Sequence, residues 1–169
     1  MTVTLTTLHC PSPVGELIVA LAEGVLAGLE FADHSDRLRA LLQKRFGAVR
    51  FAPGADSLGV AERLAAYFEG DLAAPAGLPA DGGGTPLQRR VWEALRTIPA
   101  GETRSYARLA AALGVASAVR AVGRANALNP ICIVVPCHRL IGSDGSLRGY
   151  SGGLARKRWL LRHEGVELG

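Results

Sequence analysis

Cys137, His138 and Arg139 stand side by side in the chain, directly after an apolar run, Ile131 to Val135, that is closed by Pro136. A thiolate rather than a thiol is the nucleophile in cysteine chemistry, and neighbouring cations or a histidine favour the anion. The tripeptide therefore offers a nucleophile with a base and a cation beside it. Ile133, Val134 and Val135 are β-branched, and a short apolar run ended by proline predicts a buried strand that stops abruptly. Such an end can hold a side chain rigidly toward a cleft. The plain alternative is a core cysteine followed by a satisfied core histidine, because free cysteine is among the most buried residue types. Cys132, five residues earlier, reads as a structural thiol on the same strand.

Other chemistry is sparse. Cys10, Cys132 and Cys137 are an odd number of cysteines without a CxxC spacing, which points to neither a disulfide framework nor a zinc site. His9, Cys10 and His34 lack any ligand pattern, so no metal is expected. The glycines never combine with lysine into a nucleotide-phosphate loop. A reducing setting, no basic-then-apolar leader and no apolar run near membrane-spanning length together predict a soluble, cytoplasmic protein without membrane contact. The net charge of +4 conceals an asymmetry: residues 1–84 hold six basic and ten acidic side chains, residues 85–169 thirteen and five. The basic residues are mostly arginine, suited to planar and bidentate phosphate contacts, so the second half is the one expected to meet a polyanion.

The elements that must position these residues follow from the pattern of the 169 residues, of which 49% are hydrophobic. Val3 to Leu8 alternates polar and apolar. Leu17–Leu21 and Val25–Phe31 flank Glu23-Gly24 as a hairpin. Helices are predicted over 37–46 and about 58–68, the latter stopped by Gly70. Residues 71–84, with two prolines and Gly82-Gly83-Gly84, read as a linker. The organisation expected is thus a structural unit over 1–70, a linker over 71–84, and a functional unit over 85–169. Thr85-Pro86 opens a helix as N-cap and first helical residue. Ser105–Leu113 and Ser117–Ala127, each with serine at its N-cap and Gly114 between them, read as a helix-turn-helix. Arg120 and Arg124 lie one turn apart on the second of these helices, and Ala121 and Gly123 beside them permit close approach to nucleic acid. A glycine-rich loop carrying Tyr150 and Ser151 precedes a last helix over 154–163, with Trp159 and Leu160 packing it on the core and Glu164-Gly165 at its end.

Arg120-Ala121-Val122-Gly123, Asn129-Pro130, Pro136-Cys137-His138-Arg139, Tyr150-Ser151-Gly152-Gly153 and His163-Glu164-Gly165 together resemble the O6-alkylguanine-DNA alkyltransferases, in that family's order and spacing. Ser12-Pro13-Val14-Gly15 and Tyr67-Phe68 extend the likeness weakly into the first half. The resemblance implies an α+β chain, with a small N-terminal α/β roll of antiparallel sheet and helices before a mainly helical domain carrying a winged helix-turn-helix. It implies one-time transfer of an alkyl group from O6-alkylguanine, and from O4-alkylthymine, in duplex DNA to Cys137, without a cofactor, by a monomer that could cluster on DNA. By the same likeness His138 draws the thiol proton through a water, Glu164 orients His138, and Asn129 braces the turn before the cysteine. Tyr106 donates to the guanine N3, Ser151 bonds near O6, and Tyr150 walls the pocket. The carbonyls of Cys137 and Leu140 accept from the exocyclic amine. Arg120 fills the gap left by the flipped nucleotide, with the helix-turn-helix in the minor groove.

Two other classes compete with this reading. A DNA-binding lesion sensor would bind without chemistry, and a cysteine hydrolase would turn over many times without DNA. The presence of Cys137 argues against the non-repairing alkyltransferase-like proteins, in which that position is not cysteine.

Overall fold

The computed structural model describes residues 1–169 as two compact units, 1–83 with 130–134 and 84–129 with 135–169. The chain thus leaves the second unit for five residues and returns, which the contiguous division into 1–70, 71–84 and 85–169 does not include.

In the first unit, strands β1 (Val3–Cys10), β2 (Leu17–Ala22) and β3 (Val25–Phe31) pair antiparallel, and the hairpin turns at Glu23-Gly24 as its sequence requires. Helix α1 (Ser35–Phe46) follows, and then β4 (Val49–Pro53) pairs parallel to β1. The sheet order is β3-β2-β1-β4, so the expected antiparallel sheet is corrected to a mixed one. Strand β4 has a weak burial alternation and ends in proline, which is tolerated on a sheet edge. Leu5, Ile18, Ala20 and Ala27 of the sheet pack with Leu38 and Leu42 of α1. The approach is close: a Cβ added at Gly28 would lie 2.8 Å from Leu38 Cδ1. Helix α2 (Val60–Phe68) starts where both carboxylate oxygens of Asp56 accept from the amides of Val60 and Ala61, each at 2.9 Å.

Two segments of this unit depart from expectation. Residues 71–84 are packed rather than free: Pro75 and Leu78 are buried, and Leu26 N–H donates to Pro79 O while Asp81 N–H donates to Leu26 O. Residues 131–135 are buried but do not form a strand. Leu29 exchanges hydrogen bonds with Pro130 and Cys132, and the chain then turns through Ile133, whose φ is 70°. Backbone geometry of that kind is costly for a β-branched residue and persists only where its surroundings enforce it. Here the backbone amides and carbonyls are engaged by β3 and by the turn, where Val134 N–H donates to Cys132 O.

The second unit is mainly helical. Helix α3 (Pro86–Leu95) opens with a reciprocal capping box between Thr85 and Gln88, with Pro86 at its first turn. The two-residue strand β5 (Arg104–Ser105) leads into α4 (Tyr106–Ala112), capped by Ser105. Helix α5 (Val119–Ala127) begins after a single 3-10 turn over Ala116–Ala118 and has no side-chain cap, so Ser117 does not play the N-cap part expected of it. Strand β6 (Leu140–Ile141) pairs parallel with β5, and α6 (Leu154–His163) closes the unit. Trp92 of α3 donates its indole N–H to Ala125 O, which fixes α3 against α5. No helix is long and apolar enough to cross a membrane.

Candidate active site

Cys137 opens a 3-10 turn, Cys137–Arg139, between Pro136 and β6. Its amide donates to Val135 O, and Asn129 reaches back from the end of α5 to donate its Nδ2 to the same carbonyl at 2.9 Å. Asn129 is 1% exposed, so this bond ties the ends of the excursion over 130–134 in a site shielded from water. The cysteine is 4% exposed and is held by a turn, not by a strand end.

Behind it lies a buried polar chain. His138 Nε2 is 2.8 Å from Glu164 Oε2. Arg139 grips the same carboxylate bidentately, Nε on Oε1 at 2.8 Å and Nη2 on Oε2 at 2.9 Å, and its Nη1 donates to Ile98 O at 2.6 Å. Burial lowers the imidazole's pKa, and the opposing influence of Glu164 does not restore it. Burial alone would raise the Glu164 carboxyl, but hydrogen bonds from His138 and Arg139 hold it well below the usual carboxylate range. The pair is therefore a neutral imidazole against an ionised carboxylate. A neutral ring facing a carboxylate carries its proton on Nε2, which leaves Nδ1 as the acceptor. His138 Nδ1 is buried and has no hydrogen-bond partner in the protein. A bare, basic nitrogen one residue from a cysteine can take the thiol proton. A neutral ring with a bare nitrogen is compatible with the part of a base expected of His138.

A buried cation that the sequence did not single out lies within electrostatic reach of Cys137. Lys157, on α6, is wholly buried, and its ammonium donates to the carbonyls of Leu140, at 2.7 Å, Leu147 and Gly149, at 3.2 Å. Burial lowers its pKa to about 8, and attraction to Cys137 opposes the drop. That attraction is mutual, so protonated Lys157 favours the thiolate. It also pins the loop leading to Tyr150 and Ser151 against β6.

Tyr150 meets His138 edge-on, ring centroids 6.5 Å apart, and both Tyr150 and Ser151 are half-buried. Leu140 is buried, with its carbonyl already engaged by Lys157. Tyr106, at the start of α4, is half-buried; burial and the nearby Cys137 raise its phenol's pKa, while Asn126 and Arg148 work against the rise. On α5, Arg120, Ala121 and Arg124 are exposed, whereas Val122, Ala125 and Asn126 face inward. Gly123 lies against the Tyr106 ring, to which a Cβ would come within 3.7 Å. That is an ordinary contact distance, so packing of α5 on the tyrosine does not itself demand glycine there. The structure thus gathers Cys137, His138, Glu164, Asn129, Tyr106, Tyr150, Ser151 and Leu140 in one unit, and sets Arg120, Ala121 and Arg124 on the exposed side of a neighbouring helix.

Residues 86–166 match the family model described as 6-O-methylguanine DNA methyltransferase, DNA binding domain. The methylated-DNA–protein-cysteine methyltransferase of Salmonella typhimurium is 48% identical over 164 residues, covering 93% of this chain and 94% of the relative. The chain belongs to the methylated-DNA–protein-cysteine methyltransferases. The corresponding protein of Mycolicibacterium paratuberculosis is 47% identical, covering 90% of this chain and 88% of the relative. Among solved structures, Mycobacterium tuberculosis OGT in complex with DNA aligns with a TM-score of 0.77 at 43% identity, over 96% of this chain and 92% of that one. The O6-methylguanine-DNA methyltransferase of Pyrococcus kodakaraensis aligns at 0.68 and 27% identity, over 96% and 99%.

Proposed function

We propose that this methyltransferase repairs duplex DNA by moving the alkyl group of O6-alkylguanine, and of O4-alkylthymine, onto its own Cys137, once per molecule. The observation that carries the reading is the bare Nδ1 of a neutral His138, held by Glu164 and Arg139 one residue from a buried cysteine. Cys137 gives its proton through a water to Nδ1, and the sulfur attacks the alkyl carbon. The carbon–oxygen bond breaks with its electron pair going to O6, and a sulfur–carbon bond forms. The departing guanine takes up one proton, balancing the one that left the thiol. Lys157 stabilises the sulfur anion before transfer. The alkyl donor is the lesion itself, so the reaction balances without a further co-substrate. The thioether formed has no leaving group matched to water, which makes the event final.

An O6 carbon in stacked DNA cannot be reached in line by the sulfur of a cysteine only 4% exposed, so the nucleotide must rotate out. That costs a few kcal/mol, and less for a poorly paired lesion. Arg120, exposed near the start of α5, enters the stack in its place, and Arg124 one turn on meets backbone phosphate. Ala121 beside them lets the helix lie close in the minor groove. Tyr106 donates to the base at N3, Ser151 bonds near O6 and Tyr150 walls the pocket. The carbonyls of Cys137 and Leu140 accept from the exocyclic amine, Leu140 with the lone pair that Lys157 leaves. Asn129 braces the turn. The helix pair α4–α5 with the short β5–β6 pair is read as the winged helix-turn-helix, and the protein acts as a monomer.

Intact-protein mass spectrometry after incubation with a duplex carrying one O6-methylguanine tests this reading. One methyl on Cys137 per protein molecule is expected, and product beyond one equivalent, or no mass gain, overturns it.

A further inference from the structure

Asn126 is the one polar side chain near the cysteine to which neither the sequence motifs nor the transfer chemistry above gives a task. It sits on the inward face of α5 and is 6% exposed. Its Nδ2 donates to Cys137 O at 3.4 Å, and its side chain also hydrogen-bonds the Tyr106 phenol. Its Oδ1 is buried with no partner. A buried amide that leaves its acceptor unsatisfied loses free energy, so its orientation needs a cause. Turning the amide over would set Oδ1 against the Cys137 carbonyl, two acceptors facing each other. The orientation that remains points both amide hydrogens at acceptors, Cys137 O and the Tyr106 oxygen.

A phenol that accepts on its oxygen keeps its own hydrogen free for another partner, and accepting polarises that O–H toward donation. We infer that Asn126 is a positioning residue that acts through Tyr106, supplying an amide hydrogen to the phenol oxygen so that the phenol's hydrogen is directed to the ring nitrogen of the departing base. Asn126 thereby links two halves of one event. Its first hydrogen holds the carbonyl of the residue whose sulfur attacks, and its second readies the donor that receives the negative charge leaving on the base. Burial and the Cys137 charge both oppose loss of the phenol's proton, so Tyr106 stays a hydrogen-bond donor and not an anion. The inference rests on the assignment of Tyr106 to the base, and the experiment separates the two.

The test is a single-turnover comparison of wild type, Asn126→Leu, Tyr106→Phe and the double variant on duplexes carrying O6-methylguanine or its 3-deaza analogue, in which carbon replaces ring nitrogen N3. Asn126→Leu is close in volume and removes both hydrogens. It is expected to slow transfer at saturating DNA about tenfold, the equivalent of about 1.4 kcal/mol, while leaving the half-saturating DNA concentration within about twofold. In the Tyr106→Phe background, or with the 3-deaza lesion, the same substitution is expected to cost less than about twofold. An undiminished tenfold loss in either setting overturns the inference, as does a loss confined to the half-saturating concentration. If thermal unfolding shows that Asn126→Leu does not fold, Asn126→Met fills the site in the same cycle with the same expectations. Should wild type transfer equally fast to both lesions, Tyr106's assignment to N3 fails; should wild type gain no methyl at all, the repair reading itself fails.

Discussion

Replacing Glu164 with glutamine changes one atom's identity and no volume, and its consequences can be worked out contact by contact. The carboxylate accepts three hydrogen bonds within 2.9 Å, two from Arg139 and one from His138, with its own side chain wholly shielded. Glutamine offers one acceptor and one donor. In either orientation the buried guanidinium loses its counter-charge, and if the amide nitrogen faces Arg139 it also loses an acceptor and meets a donor. If the nitrogen faces His138, it donates to Nε2 and drives the ring proton to Nδ1, where it blocks the base. Removing one partner of a buried pair costs about 3–5 kcal/mol. For a chain of this size that corresponds to a fall of roughly 6–20 °C in Tm. Loss of general-base function slows transfer by a further factor of about 10²–10⁴. The pH dependence carries a sign of its own. The Glu164 carboxyl lies far below its unfolded value of about 4.3, so its contribution is complete above that pH. As acidity increases below it, the stability gap between wild type and variant narrows. Differential scanning calorimetry from pH 3 to 8, paired with quench-flow and intact-mass readout of methyl transfer at pH 7.5 and a temperature where both proteins are folded, measures both quantities. A variant that loses stability as expected but transfers methyl within about threefold of wild type refutes the reasoning, because Glu164 would then be a structural anchor with no hold on the base.

Cys137→Ser is expected to bind a lesion-bearing duplex within a few-fold of wild type and to gain no methyl mass; adduct on any other residue would reassign the acceptor. Arg120→Ala should slow transfer from duplex much more than from a short single strand, with bulk duplex affinity little changed in a salt titration; equal rates on both would remove it from base extrusion. Lys157→Met leaves the Leu140, Leu147 and Gly149 carbonyls without their donor and should slow transfer at least tenfold with a higher apparent thiol pKa by iodoacetamide reactivity; an unchanged reactivity profile would show that the ammonium does not act on the sulfur. Because burial lowers the pKa of His138, the acid limb of the wild-type transfer rate should be centred below the ordinary imidazole value of about 6.5, and a limb centred above it contradicts a neutral, buried base.

What could be read in the sequence is what depends on short-range rules. The hairpin at Glu23-Gly24, the Thr85-Pro86 helix start and the limits of the last helix were all visible as turn or cap signals, and the structure has them. The Cys-His-Arg step was visible as chemistry, but its setting was misjudged. Five apolar residues before a proline look alike whether they form a strand or a buried turn, and only the pairing of Leu29 with Pro130 and Cys132 decides between them. Strand β4 escaped notice because its parallel partner lies some 46 residues earlier, at Val3–Thr7, beyond any local pattern. Lys157 and Asn126 were hidden for a sharper reason. In sequence Lys157 is one of three consecutive basic residues that look like a solvated helix start, and Asn126 is an ordinary polar residue near a helix end. Helical spacing settles which way each points: Lys157 shares its inward side with Leu160 and Leu161, as Asn126 does with Val122 and Ala125. A charge on the same stripe as core leucines has to find carbonyls or forfeit several kcal/mol, and in this protein the carbonyls it finds belong to the strand and loop that frame the cysteine.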